Sequence, residues 1–86
     1  MYSVEWLRIA MEEMDDLFLL EDEATQFRLV AIVRGIERAL ASAPNDLGES
    51  RDEGGRLAFF ELLAVRCVVD ESLRSVRITG VKRYGK

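Results

Sequence analysis

The last thirteen residues of the chain, from Arg74 to Lys86, contain five basic side chains and no acidic one. The whole protein is nevertheless acidic, with 12 Lys and Arg against 16 Asp and Glu. Residues 1–50 hold 4 basic and 11 acidic side chains, whereas residues 51–86 hold 8 basic and 5 acidic ones. Guanidinium and ammonium groups bind phosphates and carboxylates. The asymmetry predicts two faces with different tasks, the basic one suited to a polyanion or an acidic partner.

The residue types restrict the chemistry that this protein can perform. The sequence contains no His and a single cysteine, Cys67. A Ser–His or Cys–His triad and a zinc site both need residues that are missing here. Cys67 falls in a strand-like run and is expected to be a buried, inert thiol. We therefore expect no metal and no cofactor, and any catalysis must come from Arg, Lys, Tyr and carboxylate groups.

Length and composition predict one globular domain that spans residues 1–86. Hydrophobic residues make up 49% of the chain and charged residues 33%, which is typical of globular rather than disordered proteins. No apolar run approaches the roughly 20 residues that a membrane-spanning helix needs. The segment Met1–Trp6 lacks the basic region and apolar stretch of a signal peptide. The expected location is the cytoplasm, without membrane contact.

Apolar periodicity predicts a strand followed by two helices. The strand, Tyr2–Trp6, alternates and is rich in β-forming residues. One face of the first helix carries Leu7, Ala10, Met11, Met14, Leu17 and Phe18, and the opposite side carries Glu12, Glu13, Asp15 and Asp16. The acidic residues 21–23 suit the start of the second helix, because the helix dipole favours anions there. Its predicted buried face holds Leu29, Ile32, Val33, Ile36 and Leu40.

The second half of the chain predicts three strands. Pro44 ends the second helix, and a charged loop follows over Gly48–Gly55. The strands are predicted at Arg56–Phe60, Ala64–Val69 and Ser75–Val81, with connections short enough for hairpins. The order is β-αα-βββ. We predict an α+β fold with two layers, in which the N-terminal strand and the helical hairpin pack on a mainly antiparallel four-stranded sheet.

Side-chain alternation predicts which strand residues share a face. The face toward the helices should hold Val65, Cys67, Val69, Val76 and Ile78. The opposite, open face should hold Arg66, Arg77 and Arg83, together with Val81. Three guanidinium groups on one uncovered face suit phosphates or carboxylates. A second interpretation remains open, in which these charges only keep the open face soluble.

An ordered set of motifs runs through nearly the whole chain. It opens with Tyr2-Ser3-Val4-Glu5-Trp6 before the helical hairpin, and Pro44 followed by Gly48 leads out of the second helix. The later motifs are the Arg56 strand, Val68-Val69-Asp70-Glu71, Val76-Arg77-Ile78 and Val81-Lys82-Arg83-Tyr84. This set resembles the RelE/ParE superfamily, the toxins of type II toxin–antitoxin modules. The resemblance implies the fold predicted above and a cognate antitoxin protein that wraps the toxin.

In the RelE-like branch, the resemblance implies an mRNA interferase, a metal-independent endoribonuclease that acts on the ribosome. The ribose 2′-hydroxyl attacks the adjacent phosphate, so catalysis needs alignment, cationic stabilisation and proton transfer. Matching strand by strand, the resemblance assigns the catalytic roles to Arg56, Arg83 and Tyr84. Tyr84 would serve as an acid or base, or would stack on a base. Binding of RNA or of a partner would fall to Arg51, Arg66, Arg77 and Lys82.

Two alternatives stay open at the level of the sequence. ParE-like members are expected to inhibit DNA gyrase by protein contact, without catalytic residues. The acidic helices are compatible with this, and so is Leu62-Leu63-Ala64, where RelE-like nucleases usually carry an Arg. The other alternative is a non-catalytic member that only binds its antitoxin. The acidic tail of an antitoxin would suit the basic strand in each case.

Overall fold

A computed structural model describes residues 1–51 and 54–85 of the chain. Strand β1 (Ser3–Trp6) is followed by helices α1 (Arg8–Leu19) and α2 (Glu23–Ser42). A 3-10 turn at Pro44–Asp46 then leads to strands β2 (Glu49–Ser50), β3 (Gly55–Phe60), β4 (Leu63–Asp70) and β5 (Ser75–Arg83). The strands form one sheet in the order β1-β5-β4-β3-β2. Only the β1–β5 pair is parallel among the described strands, and the predicted α+β architecture is confirmed.

The described residues form a sheet of five strands, where the sequence predicts four. The additional strand, β2, lies within the predicted Gly48–Gly55 loop and pairs with β3, Glu49 opposite Leu57 and Ser50 opposite Arg56. A strand of two residues is too short to show an alternating pattern, so periodicity cannot detect it. Residues 52 and 53 of that predicted loop lie outside the described residues, as does Lys86.

The second helix begins where its acidic residues predict. Asp22 is the N-cap of α2, and its side chain accepts a hydrogen bond of 2.8 Å from the backbone N–H of Thr25. This hydrogen bond lowers the pKa of Asp22, because it stabilises the ionised carboxylate. At the other end α2 stops at Ser42, and the buried Pro44 follows in the 3-10 turn. Proline has no N–H to continue the helix.

The helices cover one face of the sheet and enclose one hydrophobic core. Its buried members on the helices are Ala10, Leu29, Ile32, Ile36 and Leu40, and those on the sheet include Val65, Cys67, Val69, Val76 and Ile78. The sheet positions match the predicted face, and Val33 on α2 is only partly buried. On the predicted face of α1 only Ala10 is fully buried, because Leu7, Met14, Leu17 and Phe18 are partly buried and Met11 is 54% exposed. Neither of the two described helices is long and apolar enough to cross a membrane.

Polar contacts fix the N-terminal strand against the end of β4. The Tyr2 hydroxyl donates a hydrogen bond of 2.6 Å to Glu71, and the Asn45 amide donates to the same carboxylate. The bond from Tyr2, followed by that from Asn45, lowers the pKa of Glu71. The same bond raises the pKa of Tyr2, because the phenol must keep its proton to donate. The Arg74 guanidinium also lies 5.5 Å from the centroid of the Tyr2 ring.

One irregularity interrupts the pairing of β4 with β5. Arg66 is opposite Gly80, but the next residue, Cys67, is opposite Ile78. Thr79 is therefore an extra residue on β5, which is the arrangement of a β-bulge. Because side chains alternate along a strand, one extra residue shifts every later side chain to the other face.

The bulge overturns the predicted orientation of the end of β5. Val81 is opposite the buried Val65 and is itself only 2% exposed. Arg83 is opposite the buried Leu63 in the same register. The prediction that Val81 and Arg83 lie on the open face is therefore wrong, because both are directed to the helix-covered face. Lys82 lies on the open face in their place.

Glu13 on α1 also departs from its predicted solvent-facing position. Its carboxylate oxygen Oε1 accepts a hydrogen bond of 2.9 Å from the backbone N–H of Val81. Strand β1 ends at Trp6, opposite Ile78, so beyond that point no described strand lies beside β5 on this side. The helix supplies the acceptor that the sheet lacks, which keeps the backbone donor satisfied.

We expect Glu13→Ala to lower the free energy of unfolding by about 1–3 kcal/mol, because it leaves the Val81 N–H without its partner. The matched control is Glu12→Ala, which makes the same change in charge and helix propensity at an exposed position of α1. Urea denaturation followed by circular dichroism measures both variants. Equal losses in the two variants would show that the Glu13 bond contributes nothing.

Candidate functional site

The sheet face away from the helices is called the open face below. It carries three cations, each in a different row, where a row is a set of directly opposed residues on neighbouring strands. Directly opposed residues on paired strands point to the same face, and the pairs are Lys82 with Ala64, Arg66 with Gly80, and Arg77 with Val68. The rows are two residues apart on β4, or about 7 Å. All three cations are exposed. Within residues 1–51 and 54–85, none of them forms an ion pair.

The Arg66 guanidinium lies across β5, over Gly80. A Cβ atom on residue 80 would lie 2.7 Å from Arg66 Nη2 and 3.1 Å from Arg66 Nε. The first distance is shorter than non-bonded atoms tolerate and the second is tight, so the guanidinium occupies the space of the missing side chain. Gly80 is thereby buried although it lies on the open face.

Two aromatic rings lie beside these cations. The Phe59 and Tyr84 ring centroids are 4.6 Å apart with the ring planes tilted by 46°. Phe59 is 46% exposed and Tyr84 is 50% exposed. The backbone N–H of Tyr84 donates to the Leu62 carbonyl at 2.7 Å. This hydrogen bond fixes Tyr84, which follows the last residue of β5. Both rings thus offer an accessible apolar surface to a flat ligand.

Arg66, Lys82, Phe59 and Tyr84 together form what we call the open-face cluster. Phe59 is opposite Ala64, and Ala64 is opposite Lys82, so the Lys82 and Phe59 backbones are about 10 Å apart. Lys82 and Arg66 are diagonal neighbours, with Cα atoms about 7–8 Å apart. Neighbouring cations beside exposed aromatic rings are the features that bind single-stranded nucleic acid.

Arg83 does not join this cluster. Its Nε donates to Glu21 at 2.8 Å, and this ion pair is partly shielded, with the Arg83 side chain 29% exposed and that of Glu21 21% exposed. Arg83 Nη1 also donates to the Tyr84 carbonyl at 3.1 Å. The Arg83–Glu21 ion pair therefore connects the end of β5 to the segment between α1 and α2.

Arg56 lies apart from both Arg83 and Tyr84. It is opposite Cys67, on the helix-covered face, and its Nε donates to the Leu47 carbonyl at 2.9 Å. The rows that contain Arg56 and Arg83 are four residues apart on β3, which is about 13 Å. The structure does not bring the three catalytic residues implied by the resemblance into one site. Burial raises the pKa of the Cys67 thiol, as expected for an unreactive cysteine.

The four predicted binding residues are divided between the open face and the sheet edge. Arg66 and Lys82 belong to the open-face cluster, and Arg77 lies two rows away from Lys82, next to Glu5 on β1. Arg51 follows the edge strand β2 and pairs with Glu49 at 3.0 Å. Only two of the four therefore contribute to one continuous site.

Sequence reasoning missed Phe59 and Gly80. A glycine inside a strand pattern indicates a bulge or the close approach of another group. Gly80 follows the bulge at Thr79 and is approached by the Arg66 guanidinium. Alternation also predicts that Phe59 points away from its buried neighbour Ala58. The sequence contains both signals, the glycine within a strand and the alternation at Phe59. Neither signal identifies the residue that contacts Gly80 or Phe59 in the fold.

Two solved structures have the same fold as this chain. The first is a chain of the "Chromosomal ParDE TA system from P. aeruginosa", with a TM-score of 0.75 and 19% identity, covering 99% of this chain and 98% of that one. The second is a chain of the toxin–antitoxin complex RelBE2 from Mycobacterium tuberculosis, with a TM-score of 0.75 and 21% identity, covering 96% and 98%. No protein-family model and no curated protein matches the sequence. The predicted RelE/ParE fold is confirmed.

Proposed function

We propose that this chain is the toxin of a type II toxin–antitoxin module and that it inhibits translation by cleaving mRNA on the ribosome. The observation that carries the proposal is the open-face cluster, in which Arg66 and Lys82 lie beside the Phe59–Tyr84 ring pair. The shared fold with the ParDE and RelBE2 chains supports the module. The cluster supports the RNA target.

The residue types of the cluster fit RNA cleavage without a metal. The ribose 2′-oxygen forms a bond to the adjacent phosphorus and the bond from phosphorus to the 5′-oxygen breaks. The 2′-hydroxyl proton ends on the 5′-oxygen, so the products are a 2′,3′-cyclic phosphate and a 5′-hydroxyl. Arg66 and Lys82 stabilise the negative charge that develops on the phosphoryl oxygens. Phe59 and Tyr84 stack a neighbouring base and align the ribose.

The distribution of charge gives the protein one orientation toward RNA. Residues 1–50, which include both helices, hold 11 acidic and 4 basic side chains, and the helices cover the face opposite the cluster. The acidic helical side therefore repels RNA, and the basic open face attracts it. Because phosphate contacts release counterions, we infer that activity falls as salt concentration rises.

The partner that neutralises the toxin is inferred to be a protein antitoxin. Both structural neighbours come from toxin–antitoxin assemblies. An antitoxin segment with carboxylate side chains would pair with Arg66, Arg77 and Lys82 and would exclude RNA from the same face. Neutralisation and catalysis would then compete for one surface.

A second candidate target is a protein such as DNA gyrase. The helical hairpin exposes large apolar side chains near the connection between α1 and α2, with Leu19 76%, Leu20 84% and Phe27 80% exposed. Exposed apolar groups at this density favour a protein contact. On this alternative the open-face cluster has no catalytic role.

Two assays run in parallel test the proposal with the purified chain. The first measures protein synthesis in a reconstituted translation system, and the second measures DNA supercoiling by gyrase. The proposal predicts loss of protein synthesis with supercoiling unchanged. Loss of supercoiling with normal translation would establish the second candidate, and activity in neither assay would overturn both.

A further inference from the structure

We infer that Gly80 is a positioning residue, which keeps open a phosphodiester subsite shared by Arg66 and Lys82. The inference rests on the proposed function and specifies its substrate contact. The ligand is one nucleotide unit of single-stranded RNA. Its phosphate lies between the two cations, and its base lies on the Phe59–Tyr84 ring pair.

The backbone gives no other reason for a glycine at this position. The described glycines with positive φ are Gly48, Gly54 and Gly85, so the Gly80 conformation is open to any residue. A glycine inside a strand costs stability relative to residues with side chains. The site requires space at residue 80, because a Cβ atom there would lie only 2.7 Å from Arg66 Nη2.

The position of the guanidinium decides whether the two cations can share one phosphate. Arg66 extends over β5, the strand that carries Lys82, because the missing side chain at Gly80 leaves room for its guanidinium. Like charges at close range repel, and a phosphate between them removes that cost. Ala64, the small residue between Lys82 and Phe59, leaves room for the ribose.

Adding one methyl group at residue 80 should displace Arg66 without disturbing the fold. The atoms in conflict belong to the end of a long, flexible side chain and not to the backbone. Alanine also fits a strand better than glycine does. Gly80→Ala is therefore expected to lower activity while leaving the melting temperature unchanged or raised, which is the reverse of what a purely structural glycine would show.

The test is single-turnover cleavage of mRNA bound to programmed ribosomes. We expect Gly80→Ala to slow cleavage by about 10- to 100-fold, because displacement of a catalytic group by about 1 Å has effects of this size. The effect should disappear in an Arg66→Ala background, so that the double variant is no slower than Arg66→Ala alone. Gly35→Ala is the matched control, since a Cβ at Gly35 on α2 would meet no described atom outside its own helix within 4 Å, and it should cleave at the wild-type rate.

The outcomes separate this inference from the proposed function. A wild-type chain that does not cleave ribosome-bound mRNA would overturn both. Wild-type cleavage with an unaffected Gly80→Ala variant would overturn the positioning role alone. Effects of Gly80→Ala and Arg66→Ala that multiply in the double variant would also overturn it, because independent sites behave additively in free energy.

Discussion

Arg66→Ala is expected to slow single-turnover cleavage of ribosome-bound mRNA by about 100- to 1,000-fold, the usual cost of removing one transition-state donor. The guanidinium lies over Gly80 and has no ion-pair partner within residues 1–51 and 54–85. Its charge is therefore available to the phosphoryl oxygens. The free energy of unfolding should change by less than about 0.5 kcal/mol, as for most substitutions of exposed residues.

The matched control for this prediction is Arg77→Ala. Arg77 is an exposed arginine on the same face, two rows or about 13 Å from the Lys82 row. We expect its loss to slow cleavage by less than about 10-fold, through a weaker attraction for RNA. If Arg77→Ala slowed cleavage as much as Arg66→Ala, a diffuse basic surface rather than a defined cluster would account for the activity.

Gly48→Ala is expected to have the largest effect on stability, a loss of about 3 kcal/mol from the left-handed backbone and the steric overlap together. Gly48 has a φ of 62°, and a Cβ there would lie 2.0 Å from the Leu57 carbonyl oxygen and 2.6 Å from Ala58 Cα. These are backbone atoms of β3, so no side-chain rotation relieves the overlap. The start of β2 must move away from β3, which breaks their pairing.

Gly35→Ala is the matched control for stability as well. Gly35 is inside α2, and within the described part of the chain no atom outside its own helix lies within 4 Å of its Cβ position. Alanine is the better helix former by about 1 kcal/mol, so this variant should be stabilised by up to that amount. Guanidinium denaturation measures both variants. A loss of less than about 1 kcal/mol for Gly48→Ala would show that β2 and β3 can separate without cost.

The helices and the inward faces of the strands were predictable because long periodic patterns determine them. Leu29, Ile36 and Leu40 follow the helical period, and Val65 and Cys67 follow the strand period. The pairing of strands was not predictable in the same way. The extra residue at the β5 bulge reverses the face of everything after it.

The candidate site was predicted in part for the same reason. Arg66 precedes the irregularity in the register and lies on the open face as predicted, whereas Arg83 follows the bulge and lies on the other face. Lys82 takes its place on the open face, and Tyr84 packs against Phe59, a contact between distant parts of the chain. Such contacts depend on the register of strand pairing, which a single sequence does not determine. The Glu21–Arg83 ion pair is another contact of this kind.

The number of basic residues in the second half of the chain does not by itself identify the candidate site. Of the cations in the second half of the chain, Arg51 and Arg83 are held by carboxylates and Arg56 by a backbone carbonyl. The contacts of Arg56 and Arg83 are partly buried and join separate elements of the fold, whereas the Arg51–Glu49 pair is exposed at the sheet edge and contributes little to stability. Arg66 and Lys82 are distinguished by position, since they flank the small residues Ala64 and Gly80 beside the aromatic pair.

The most direct test of the central claim is primer extension on a reporter mRNA incubated with the purified chain, with and without programmed ribosomes. We expect new 5′ ends that require the ribosome, that disappear with Arg66→Ala, and that persist with Arg77→Ala. Intact mRNA on programmed ribosomes, from a wild-type chain that is folded by circular dichroism, would contradict it. The open face would then be a binding surface only.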